Sequence, residues 1–150
     1  MMNKLTQVAF TSLILLTGCS ANAPSLGISN GQLTQCPDKP NCVNSFATGS
    51  EKFIEPIVIV GKRNEIEKEI VKIVTELENT KITVTESNYV RAEFTSKVFG
   101  FVDDVEFYFP ETEAKDTIIH VRSASRVGYS DMNVNRERVE FIRVKFSNLK

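Results

Sequence analysis

Tyr89-Val90-Arg91-Ala92-Glu93-Phe94-Thr95-Ser96 alternates apolar and polar side chains, and Val102–Phe109 and Thr117–Ser123 repeat the pattern. Successive side chains of a strand point to opposite faces. Val90, Ala92 and Phe94 therefore share one face, as do Val105, Phe107 and Phe109, and Ile119 and Val121. The opposite face reads Arg91 and Glu93, then Asp104, Glu106 and Tyr108, then His120 and Arg122. Alternation of this kind marks an antiparallel sheet with one buried face. Ile82–Glu86 adds a strand before it. Phe53–Val60 adds another, which Pro56 pushes towards a sheet edge.

Two helical patterns flank these strands. Ile66, Ile70, Ile73, Val74 and Leu77 recur on one face of a helix, and Asn64 with Glu67 has the spacing of a capping box. A second helix is expected from about Asn133–Asn135 to about Phe146, with Val139, Ile142 and Phe146 facing inward. The expected fold is α+β: an antiparallel sheet of about four to five strands with two helices packed on one face, the other face polar.

The N-terminus carries an address. Met1–Lys4 is a short basic region, and Val8–Leu16 is an apolar run too short for a spanning helix, which needs roughly 20 residues. Leu16-Thr17-Gly18-Cys19 looks like a lipobox, with Cys19 as the acyl acceptor. That similarity implies a signal peptide over residues 1–18 and diacylglycerol on Cys19, the chain meeting a membrane through that lipid. Two or three acyl chains, as the resemblance implies, hold durably where one binds only marginally. Ser20 after the cysteine, rather than Asp, points by analogy with Gram-negative sorting to the outer membrane, facing the periplasm. Residues 19–52 are expected to form a tether with a small cysteine loop, and residues 53–150 the single α+β domain.

With lipid consuming Cys19, Cys36 and Cys42 remain, an even number in a disulfide-permissive compartment. They bracket Pro37-Asp38-Lys39-Pro40-Asn41, and a structural disulfide is the expectation. Five intervening residues do not match the Cys-x-x-Cys redox spacing. A structural zinc wants four nitrogen or sulfur ligands, and two thiols with the lone His120 do not supply them. No metal and no cofactor is expected: neither a phosphate-binding loop nor a dinucleotide fingerprint is present.

The 150 residues carry 18 basic and 19 acidic side chains. That balance gives no reason to expect nucleic acid or a polybasic membrane patch. Residues 101–117 are acidic and residues 120–150 basic, a pairing that more often neutralises itself within a fold than serves separate partners.

The densest polar run is His120-Val121-Arg122-Ser123-Ala124-Ser125-Arg126-Val127-Gly128-Tyr129-Ser130-Asp131, followed by Asn133, Asn135 and Arg136. A strand end, a glycine loop and a helix start in succession suit an anion, with arginines as forked donors. The same residues equally suit a scaffold. Arg122 can pair across strands with Glu106 or Glu93, and Ser and Asn can cap the turn. Arg126 and Arg136 can pair with Asp103, Asp104 or Asp131. His120, in phase with Arg122, is the one candidate general base, with Asp104 or Glu106 as partner.

Cys36-Pro37 with Pro40-Asn41-Cys42-Val43, Ala92–Ser96, Phe101–Phe107, His120–Asp131 and Asn135-Arg136 together resemble the family catalogued as domain of unknown function 1499. The likeness covers most of residues 31–146. It implies a single domain on bacterial envelope proteins and supplies no mechanism. It selects Arg91, Glu93, Asp103, Asp104, Arg122, Arg126, Tyr129, Asp131 and Arg136, and with Ser123, Ser125 and Asn135 these are the candidate binding residues. Three roles remain open: a tethered module binding a small polar or anionic ligand or an envelope protein, a hydrolase using His120, or a structural accessory lipoprotein.

Overall fold

A computed structural model describes residues 23–148. Cys19, where lipid attachment is expected, lies outside them. The described chain runs β1 (Ile28–Ser29), β2 (Gln32–Leu33), β3 (Cys42–Asn44), β4 (Ile57–Val60), α1 (Arg63–Thr75), β5 (Thr80–Glu86), β6 (Tyr89–Thr95), β7 (Val102–Tyr108), β8 (Asp116–Ser125) and α2 (Val134–Ser147). All strand pairings in these elements are antiparallel.

The expectation of four to five strands with two helices on one face is corrected by this topology. The main sheet has six strands, ordered β3-β8-β7-β6-β5 with β4 also on β8, and β1-β2 forms a second, two-stranded sheet. The difference comes from β8. One edge of this ten-residue strand pairs with β7, and its other edge holds two short strands end to end. β4 takes the first half, from Ile57 opposite Ile119 to Val60 opposite Asp116, and β3 takes the second, from Cys42 opposite Ala124 to Asn44 opposite Arg122.

The registers place Val90, Phe107 and Val121 in one row and Ala92, Val105 and Ser123 in the next. Those apolar side chains are buried with Ile70, Ile73 and Val74 of α1 and Val139, Ile142 and Phe146 of α2 in one cluster. Burying side chains of this size contributes about 1.5–3 kcal/mol each relative to exposure. α1 begins at Lys62 with no side-chain cap, so Asn64 lies inside the helix and the expected capping box is not formed.

The opposite sheet face is not left to solvent. From Pro24 onward the segment expected to be a tether lies across it. The carbonyl of Pro24 accepts from Arg91, the amide of Gly27 donates to Glu106, and the Thr34 carbonyl accepts from Asn44. Leu33 is buried there, outside the main core cluster. The fold thus begins well ahead of Phe53. A row of charged residues promised an open polar face, yet they form a buried layer between sheet and strap.

Candidate functional site

Strand alternation sets Arg91, Glu106 and Arg122 in one cross-strand row and Glu93, Asp104 and Ala124 in the next. Covered by the strap, these charges need partners, because an unpaired buried charge is costly. Asp104 has two. Arg126 forks onto it, Nε to Oδ2 and Nη2 to Oδ1 at 2.8 Å each, and Arg91 donates to Oδ1 at 2.6 and 3.1 Å. Arg126 also pairs with Glu93. Burial alone would raise the Asp104 carboxyl, but the hydrogen bonds and charges of Arg126 and Arg91 outweigh it and hold it below the usual range.

Glu106 is fully buried and accepts from Arg122 at 3.0 Å, the Tyr89 hydroxyl at 2.8 Å and the Gly27 amide at 3.1 Å. Burial pushes its carboxyl up against the pull of Arg122 and Tyr89. The same burial, with the Glu106 charge, raises the Tyr89 hydroxyl far above its usual range. Nε of Arg122 is buried without a partner.

Asp103 sits on the other face and pairs with Arg138 at 2.6 Å. Arg138 also donates to Ser123 Oγ and Asn135 Oδ1, and stacks over Phe94. Asn135 is the hub of this second network. Its side-chain amide donates to Asp131 Oδ2, Ser125 Oγ and the Asn41 carbonyl, and its carbonyl accepts from Ser123 and Arg138. Asp131 accepts from the amides of Asn133 and Asn135, so it caps α2 from two residues ahead of Asn133. Met132 and Asn133 between them are left-handed, with φ of 55° and 68°. For Met132 that costs about 1–2 kcal/mol, which the Asp131 cap helps offset.

His120 meets no carboxylate. Its Nδ1 lies 3.1 Å from the Ser45 hydroxyl, which itself accepts from the Val121 amide. The Ser45 hydroxyl, already accepting one bond, can donate its proton to Nδ1, an arrangement that suits the neutral ring with its proton on Nε2. Phe46 stacks on the ring at 4.0 Å between centroids, and burial lowers the imidazole pKa. Both carboxylates that a hydrolase needed beside His120 are engaged by arginines. No cluster of three or more His, Cys, Asp or Glu suited to a metal occurs among the described residues.

Of the candidates, then, the structure gathers Arg91, Glu93, Asp104 and Arg126 with Arg122 in one buried layer, and Asp103, Ser123, Ser125, Asp131 and Asn135 in another. Tyr129 and Arg136 belong to neither. Arg136 donates to the carbonyls of Phe53 and Glu51 at 2.9 and 2.7 Å, holding the 51–53 turn. Tyr129 is 72 % exposed. Together with Asp131 and Asn133 they line a cleft of about 310 Å3 whose other wall is Asp38, Lys39, Pro40 and Cys42, closed by Glu51 and Lys52. The Cys36–Cys42 disulfide is formed and braces that wall, and the buried Asn41 amide ties it to the Gly128 carbonyl at 3.0 Å. A larger open trough of about 880 Å3 lies at the opposite sheet end, between Val60–Arg63 and Pro110–Thr117, walled mostly by exposed loop.

Sequence reasoning missed Asn41, Asn44, Ser45, Tyr89 and Arg138, which complete these networks. The Pro40-Asn41-Cys42 string was the available signal for Asn41. Nothing local marked the others.

Residues 32–146 match the model of a family described as "Protein of unknown function (DUF1499)", and the chain belongs to that family. No curated protein matches the sequence.

Proposed function

For a member of that family, we propose a cell-envelope lipoprotein, held by lipid on Cys19, whose folded part is a recognition module for a small polar ligand. The cleft between the disulfide loop and the head of α2 is its binding surface. One observation carries this reading. Almost every candidate charge is neutralised inside the fold, while Tyr129 stands exposed at the rim of a cleft braced by a disulfide and a strained helix start. Exposed aromatics over a concave polar lining are where recognition energy concentrates. The volume is at the low end for ligand pockets, and the lining mixes Lys39, Lys52 and Arg136 with Asp38, Glu51 and Asp131. A neutral or zwitterionic ligand with donors and acceptors, such as a short peptide or a sugar unit, fits that lining better than a polyanion.

The test is a comparison of native lipoprotein purified from membranes with its Tyr129→Ala variant, both analysed for co-purifying small molecules and proteins. Tyr129→Ala should leave stability within about 0.5 kcal/mol, as for other surface changes, and should lose the ligand. A ligand retained equally by both proteins would place binding elsewhere. The anchor is tested separately by labelling with a fatty-acid analogue, which should mark wild type and not Cys19→Ala.

A further inference from the structure

Four residues lie between Cys19 and Pro24, the point where the chain is already fixed on the sheet through Arg91. The five steps from Cys19 to Pro24 reach at most ~17 Å. A bilayer holding lipid on Cys19 therefore lies close to the domain, and some surface of the domain must face it.

The two ends of the sheet offer opposite surfaces. The β7–β8 connection carries Glu111, Glu113 and Lys115, Asp116 opens β8, Glu86 ends β5, and Lys62 and Arg63 line the same end, Arg63 pairing with Glu111. So densely charged an end stays in water, because burying those groups in a leaflet is costly. The β6–β7 connection reads Ser96-Lys97-Val98-Phe99-Gly100-Phe101, and its apolar side chains point into solvent. Val98 is 81 % exposed, Phe99 74 % and Phe101 52 %. The turn is ordered. Ser96 and Phe101 bond backbone to backbone at 2.8 Å, Ser96 Oγ accepts from the Phe101 amide, and the Gly100 amide donates to the Ser96 carbonyl. Gly100 supplies the left-handed φ of 66° that closes the turn, and the rings of Phe99 and Phe101 stack at 5.5 Å. Lys97 is neutralised by Glu78. The result is a preformed apolar tip with no net charge.

The distances agree. Arg91 to Thr95 is four residues of strand, ~13 Å at strand rise, and the turn extends a little further. The tip is thus about within the tether's reach of Pro24. So is the opposite end, where Tyr89 lies two residues from Arg91, and the character of the surfaces decides which end meets the leaflet. We propose that the Val98–Phe101 turn is a membrane wedge, dipping into the leaflet that holds the lipid of Cys19. The proposal rests on the anchoring reading above. Three side chains bind a bilayer weakly alone, but the tether makes their insertion intramolecular, at an effective concentration on the order of millimolar.

The chain contains no tryptophan, so Phe99→Trp creates a single indole reporter at the tip. The mature chain, residues 19–150 with Cys36 and Cys42 bonded, is coupled through the Cys19 thiol to a maleimide lipid. The vesicles are phosphatidylethanolamine and phosphatidylglycerol. Chemical coupling replaces acylation, so failure of the wedge and failure of the lipoprotein reading are separate results. Indole emission should shift to shorter wavelength and be quenched by lipids brominated in the upper acyl chain, as for a ring buried ~5–10 Å into the boundary. Val60→Trp, 69 % exposed at the charged end, should keep its solution spectrum. Val98→Trp serves as the tip reporter should Phe99→Trp not fold. An unshifted tip reporter on vesicles overturns the proposal, as does an equal shift at residue 60. A shift that grows with protein concentration without vesicles would assign the tip to a second copy of the chain, and would overturn it too.

Discussion

Replacing Arg126 with alanine removes the fork that neutralises Asp104, and the loss can be sized from the contacts. Asp104 is essentially inaccessible, and the partner of its Oδ2 is Arg126 Nε. Breaking a buried pair by removing one member costs about 3–5 kcal/mol. Arg91 still serves Oδ1, and the carboxylate of Glu93, about a quarter exposed, can turn to water, so the lower end applies. The expected loss is ~3 kcal/mol, or roughly 10 °C in Tm for a domain of this length. Arg126→Lys keeps the charge without the fork and should lose about half as much.

Chemical denaturation of residues 20–150 measures this without knowledge of any ligand. The pH dependence gives a second check. Asp104 has a folded pKa held below its unfolded value, so its contribution is present above the ordinary carboxylate range and lost as pH falls through the folded value. The gap between wild type and Arg126→Ala should therefore narrow below about pH 4. A loss under about 1 kcal/mol, the size of an ordinary substitution, would refute the buried-layer account. So would a gap that stays constant into acid.

Arg136→Ala should cost only ~1–2 kcal/mol by the same assay, because the carbonyls of Glu51 and Phe53 can bond to water once released. Asn135→Ala leaves Asp131, Ser123 and Arg138 short of partners in a buried setting, and should cost about 2–4 kcal/mol. His120 should titrate below its ordinary value of about 6.5 by NMR. Its depressed folded pKa gives stability that is present above that value and lost as pH falls through the folded one, a slope that His120→Gln should flatten. Reducing Cys36–Cys42 should cost roughly 2 kcal/mol for so small a loop on the chain-entropy model, measured by denaturation with and without reductant.

The strands of the sheet centre were legible because their pattern is local: alternation over Tyr89–Thr95 and Val102–Tyr108 fixes which side chains share a face. β3 was not. Cys42-Val43-Asn44 is three residues long, and only its long-range pairing with Ala124, Ser123 and Arg122 makes it a strand. The strap was missed for a related reason. A small, polar, glycine-containing segment reads as linker, and only the charges beneath it, far away in sequence, give it something to bind. Among the candidates, sequence could identify arginines and carboxylates in phase but not their allocation. That depends on Arg126 reaching back over the end of β7 to Asp104, a contact between strands and not within one. The cleft was out of reach altogether, since its two walls are roughly ninety residues apart.

The place of β8 in the chain also orders how the molecule can assemble. It is the last strand and yet the one to which β3, β4 and β7 all attach. A chain emerging from its N-terminus can form the β5–β6 and β6–β7 hairpins early, because their contacts are close in sequence. β3 and β4, made long before, have no edge to join until Asp116–Ser125 arrives. Contacts of such separation slow folding. On the proposed envelope reading this delay has a use: the sheet stays open, and the chain translocatable, until its last strand has been delivered.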